Sequence, residues 1–170
     1  RLAEQIKKQL PLATWVVYEP LGNEQAYEGV RIATGKSLQP LYQLDRAEVI
    51  LSLDADFIAH DSDSVRLARQ FADGRRVMAQ TDKMNRLYAV ESNYSVTGAT
   101  ADHRLRIQSR QVGDFLVALG RELQSMGLSL PAFAGLTTTG TYESKWVTGL
   151  ARDLEQSRGK SAPLFLSPST

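Results

Sequence analysis

The sequence predicts an α/β domain in three layers, with helices packed against a mainly parallel sheet. Three observations carry that expectation. Val49-Ile50-Leu51-Ser52-Leu53 is almost wholly apolar, as a central strand covered on both faces should be. Apolar residues recur at helical spacing between the strand candidates, so strands and helices alternate along the chain. The composition, 170 residues with 42% hydrophobic and 23% charged, describes one ordinary globular unit. A chain of this length buries roughly 70% of its unfolded surface.

The elements follow in order. Leu2, Ile6 and Leu10 form a helical stripe that Pro11 stops. Thr14-Trp15-Val16-Val17-Tyr18 is β-branched and aromatic and reads as a buried strand. Asn23 suits the N-cap of a helix with apolar face Ala26, Tyr27, Val30 and Ala33, closed by Gly35. Leu38 to Leu44 reads as a short strand that Pro40 confines to an edge. After the strand Val49 to Leu53, residues Asp61 to Ser64 offer caps for a helix with face Val65, Ala68, Phe71 and Ala72, ending at Gly74. Residues 75 to 85 are polar and read as a loop, and Arg86 to Val90 as the next strand. Leu105 to Ile107 reads as a further short strand. Val112, Phe115, Leu116, Leu119, Leu123 and Met126 mark the best helix, ended by Gly127. Residues 128–142 are small and Thr/Gly-rich and read as an irregular loop. Trp146, Val147, Leu150, Ala151 and Leu154 mark the last helix, ended near Gly159, and Pro163 to Ser167 reads as a terminal strand. The order describes a single Rossmann-like domain over residues 1–170 with right-handed crossovers. Because the chain opens on Arg1 and closes just after a strand, we read it as a fragment of a larger chain.

Composition excludes several chemistries. With no Cys, the domain can hold no disulfide, thiolate zinc site or iron–sulfur cluster. A net charge of +1 argues against a nucleic-acid partner bound through phosphate neutralisation. No apolar run reaches the ~20 residues of a membrane span, and no signal peptide is visible.

In an open parallel sheet, ligands sit beyond the carboxyl ends of the strands. That rule points to Glu19, to Asp54-Ala55-Asp56 and to Glu91-Ser92-Asn93. Asp54 and Asp56 form a D-x-D at a strand end, which can share a divalent cation through hard oxygen ligands. Nucleotide-sugar transferases carry a D-x-D in a similar place. The plainer alternative is one Asp capping the turn and the other solvated. Gly35-Lys36-Ser37 looks like the tail of a phosphate loop, but Val30 stands where that motif needs glycine. A capped helix end accounts for it. No G-x-G-x-x-G follows a strand and no G-x-S-x-G occurs. Asp102-His103-Arg104 could supply a carboxylate–imidazole pair, or simply a polar interface. Asp54, Asp56, Asp61 and Asp63, followed by Arg66, Arg69, Arg75 and Arg76, suit the dipole of the intervening helix, and Arg106 and Arg110 near Asp102 read similarly.

Two blocks carry a family resemblance. The first is Ala47-Glu48-Val49-Ile50-Leu51-Ser52-Leu53-Asp54-Ala55-Asp56-Phe57. The second runs Met84-Asn85-Arg86-Leu87-Tyr88-Ala89-Val90-Glu91-Ser92, then Val96-Thr97-Gly98-Ala99-Thr100-Ala101-Asp102-His103-Arg104-Leu105. Together they resemble the molybdopterin oxidoreductase superfamily, closest to the large iron–sulfur/molybdopterin-like subunit of alternative complex III-type, quinone-linked respiratory complexes. In cofactor-binding members the first strand ends in a Gly-x-Asn turn, where this chain has Asp54 and Asp56. The second leads to an Asp-Pro-Arg turn, where this chain has Glu91-Ser92-Asn93. The Thr-x-x-Ala-Asp segment survives as Thr97 to Asp102. The Pro-Gly-Thr-Asp loop is replaced by Ser109-Arg110-Gln111-Val112-Gly113-Asp114.

The resemblance therefore implies a scaffold domain of an oxidoreductase subunit, not itself catalytic, with Asp54, Asp56, Glu91, Ser92, Asn93, Thr97 and Asp102 at vestigial cofactor positions. His103 and Arg104 are its interface or pocket candidates. It implies iron–sulfur clusters elsewhere in the parent and no cofactor here. Its partners would be other domains of the parent and other subunits of a complex on the outer (periplasmic) face of the cytoplasmic membrane. The alternatives are an active molybdopterin-binding domain and a metal-dependent nucleotide-sugar transferase using Asp54 and Asp56.

Overall fold

The computed structural model describes residues 2–16, 24–133, 135–138, 140, 142–160 and 165–166. The elements are α1 (Leu2–Gln9), α2 (Glu24–Thr34), β1 (Val49–Leu53), α3 (Ser64–Asp73), β2 (Arg86–Glu91), α4 (Val96–Thr100), β3 (His103–Arg106), α5 (Val112–Ser125), α6 (Ser144–Gln156) and β4 (Phe165–Leu166). The sheet has strand order β3-β2-β1-β4, and every pairing is parallel. Val49 lies opposite Arg86 and Leu53 opposite Val90, so β1 and β2 end level.

Alternation along β1 divides the core. Val49, Leu51 and Leu53 join Tyr88 and Val90 on one face, against Phe115 and Leu119 of α5 and Val147 and Leu150 of α6. Ile50 and Leu87 face the other way, onto Leu67 and Phe71 of α3 with Leu44 and Phe57. All five residues of β1 are buried. A strand covered on both faces has no solvent side, hence the continuous apolar run. Each fully buried Leu or Phe contributes about 1.5–3 kcal/mol. The three-layer α/β expectation is met. β1 to β2 crosses on the α3 face and β3 to β4 on the α5/α6 face. Right-handed crossovers require this change of face when the strand order reverses direction.

Several element readings change. Thr14 to Val16 forms no strand, and Trp15 and Val16 are exposed; Val17, Tyr18, Glu19 and Asn23 lie outside the described residues. β-propensity records fit to a pleated, half-buried surface, and no described strand offers these residues one. Leu38 to Gln43 is irregular, and Leu44–Arg46 is a 3₁₀ turn. The buried face of α3 is Leu67 and Phe71, while Val65 is 86% exposed. Both sets keep helical spacing, and only the neighbouring strand selects one. The third strand starts earlier than expected, at His103. The 128–142 loop holds a 3₁₀ turn at Pro131–Phe133, and Phe133 presses on Gly120, where a Cβ would lie 2.6 Å from its ring. Gly35 (φ +70°) and Gly127 (φ +94°) follow α2 and α5 in the left-handed conformation that suits a helix end. Among the described residues none before Leu44 is buried, and no helix is long and apolar enough to cross a membrane.

Candidate functional site at the carboxyl edge of the sheet

β1 and β2 end side by side, so the topology brings Asp54 to Asp56 against Glu91 to Asn93. Asp54 takes φ +46°, the one left-handed non-glycine conformation among the described residues. That conformation costs a residue with a Cβ about 1–2 kcal/mol, and Asp tolerates it better than most. Three hydrogen bonds hold the turn. The Asp54 N–H donates to the Val90 carbonyl at 2.6 Å. Its Oδ1 accepts from the Ser92 N–H at 3.0 Å and from Ser92 Oγ at 3.1 Å. Ser109 Oγ lies 2.9 Å from Ser92 Oγ and extends the network to the 3₁₀ turn that precedes α5.

Asp56 reaches α4. Its Oδ1 accepts from the Thr97 N–H at 3.0 Å and from Thr97 Oγ1 at 2.7 Å, and its Oδ2 lies 2.8 Å from His60 Nδ1. Thr97 is fully buried, and its Oγ1 accepts from the Ile58 N–H. Burial pushes the Asp56 carboxyl up, but the donors from Thr97 and His60 outweigh it and the net displacement is downward.

Glu91 is 4% exposed. It pairs with Arg104 Nε at 2.5 Å and accepts from Ser95 Oγ at 2.5 Å. Ser95 Oγ in turn accepts from the Gly98 N–H and so caps α4. A Cβ on Gly98 would lie 1.8 Å from the Glu91 carboxylate, so that glycine makes room for the buried acid. The Arg104 guanidinium also lies over the Tyr94 ring at 4.7 Å and reaches the Asn93 carbonyl.

The remaining candidates point elsewhere. Asp102 pairs through both oxygens with Arg75, at 2.6 and 2.9 Å, and accepts from the Leu87 N–H. The Arg75 bonds hold the Asp102 carboxyl below its ordinary value against the opposing effect of burial. His103 has no hydrogen bond to Asp102; it stacks on Tyr88 at 4.6 Å. Tyr88 donates to Asp153 at 2.6 Å, and burial, then Asp153, pushes its phenol up. The carboxylate–imidazole alternative is therefore replaced by two separate structural contacts. Within the charge run, Arg66 pairs with Asp63, and Arg69 and Arg76 pair with Asp73.

Chemically, the edge is a set of carboxylates held by donors of the same chain, Asp56 and Glu91 through both oxygens and Asp54 through Oδ1. Among the described residues no three His, Asp or Glu gather as they would around a metal. A pocket of about 100 Å³ lies beside Asp56, walled by Tyr42, Phe57, Asp61 and Arg66. Sites for drug-sized ligands take about 300–1,000 Å³. Sequence reasoning found both acidic turns but missed Ser95, Ser109 and Arg75. Of these only Ser95 carried a signal, as a capping residue ahead of Val96.

No family model matches the chain, and no curated protein matches it at a significant level.

Proposed function

We propose that this chain is a structural α/β domain of a molybdopterin-oxidoreductase-like, iron–sulfur subunit of a quinone-linked electron-transfer complex, and that it carries no molybdenum cofactor of its own. The observation that supports this most is the engagement of Asp54, Asp56 and Glu91 by Ser92, Thr97, Ser95 and Arg104. In the family this chain resembles, the corresponding turns approach an anionic pterin dinucleotide. Carboxylates there repel a pyrophosphate, so the residues present do not fit that group. The left-handed backbone at Asp54 is the conformation a glycine adopts freely. It is consistent with a turn that keeps the shape of a glycine turn after the glycine has gone.

In this reading the domain positions neighbouring domains and subunits, and electrons travel through clusters held elsewhere in the parent, at the outer face of the membrane. Metal and pterin analysis of the native full-length parent tests it. Iron without stoichiometric molybdenum or pterin is expected. Molybdenum and pterin near one per chain would overturn it in favour of an active molybdopterin domain.

A further inference from the structure

At the opposite, amino edge of the sheet lies an open groove of about 760 Å³. Arg46, Lys83, Arg86 and Lys160 line it, with the half-exposed Met84 among them. Lys160 pairs with Glu48 at 2.9 Å and Arg86 with Asp153 at 2.8 Å. Arg46 and Lys83 are exposed and make no ion pair or side-chain hydrogen bond among the described residues. The loop that carries Lys83 also exposes Val77 (51%) and Met78 (84%). Among the described residues Arg46 has no acidic partner at bonding distance and Lys83 has only the longer-range charge of Glu48; cations so weakly met, beside adaptable thioether and aliphatic surface, suit a partner that is both acidic and apolar.

We propose that this groove docks an acidic, aliphatic peptide segment of a partner protein, an inference that stands apart from the proposed function. Two other occupants fit less well. A second copy in a two-fold contact would set the same cations against each other. A nucleic-acid backbone brings phosphates and no aliphatic side chains, so the half-exposed Met84 in the lining would go unmatched. A peptide can place its carboxylates at Arg46 and Lys83 and its apolar side chains at Met84.

The test uses fluorescence anisotropy with a labelled peptide of about twelve residues alternating Glu and Leu, enough in extended form to span such a groove. Saturable binding is expected. The variant R46E/K83E should weaken it by about tenfold or more, and R46Q/K83Q by an intermediate amount. K145E/R152E, the same charge change on exposed positions of α6, should alter it less than about twofold. All four changed residues are exposed, so the melting temperature should hold. Absence of binding, equal weakening by both reversed pairs, or equally tight binding of a single-stranded oligonucleotide of matched charge would overturn the proposal.

Discussion

The two edges of the sheet treat charge in opposite ways. At the carboxyl edge, Asp54, Asp56 and Glu91 turn inward and spend their acceptors on Ser92, Thr97, Ser95 and Arg104. At the amino edge, Arg46 and Lys83 face an open groove. A parallel sheet ordinarily offers ligands its carboxyl edge, yet here that edge is occupied by its own chain. Charge made to serve the fold is bonded and shielded. Charge left over faces solvent, where it can serve a partner.

The inward-turned carboxyl edge depends most on Arg104. The substitution R104M leaves the Glu91 carboxyl buried, 4% exposed, and without its cation, at a cost of about 3 kcal/mol. Removing both partners, E91M/R104M, should cost less than R104M alone, because no charge is then stranded. Chemical denaturation reads both, and R104M no less stable than wild type would show that Glu91 is not held as described.

A smaller effect separates two changes at Asp54. D54A loses the bonds to Ser92 and keeps a Cβ at φ +46°. D54G loses the same bonds but relieves the backbone. D54G should be the more stable of the two by about 1 kcal/mol, and equal melting temperatures would remove the strained turn from the picture.

Acid also separates the two edges. The Asp56 and Asp102 carboxyls are displaced downward in the fold, so the folded state binds fewer protons than the unfolded chain. Their stabilisation is complete above the ordinary carboxylate pKa of about 3.9 and is lost as pH falls through the lowered folded values. D102N should therefore flatten the stability loss below about pH 4, whereas R46Q, at the amino edge, should leave that slope unchanged. The smallest effect belongs to R46Q/K83Q, which should shift stability by less than about 0.5 kcal/mol.

Where burial is two-sided, the pattern was plain in the sequence. β1 and the long helices α5 and α6 carry their partners' geometry in their own spacing, and Gly127 marks its helix end by chemistry that only glycine supplies cheaply. What escaped depends on partners distant in sequence. Thr14 to Val16 has strand composition and no strand to join. Val65 and Leu67 stand at equally good helical positions until β1 selects Leu67. Ser92 lies far along the chain from Asp54, and nothing local foretells that a serine N–H closes that turn. Both acidic turns could be placed at the carboxyl edge, but whether they faced outward to a ligand or inward to the chain depended on those distant donors.

Amide NMR of the wild-type domain decides between the two orientations. With ADP added to millimolar levels as a pyrophosphate probe, the Ser92, Thr97 and Gly98 amides should keep their positions, because each already donates to Asp54, Asp56 or Ser95. Saturable shifts of those three amides would contradict a carboxyl edge closed by its own side chains.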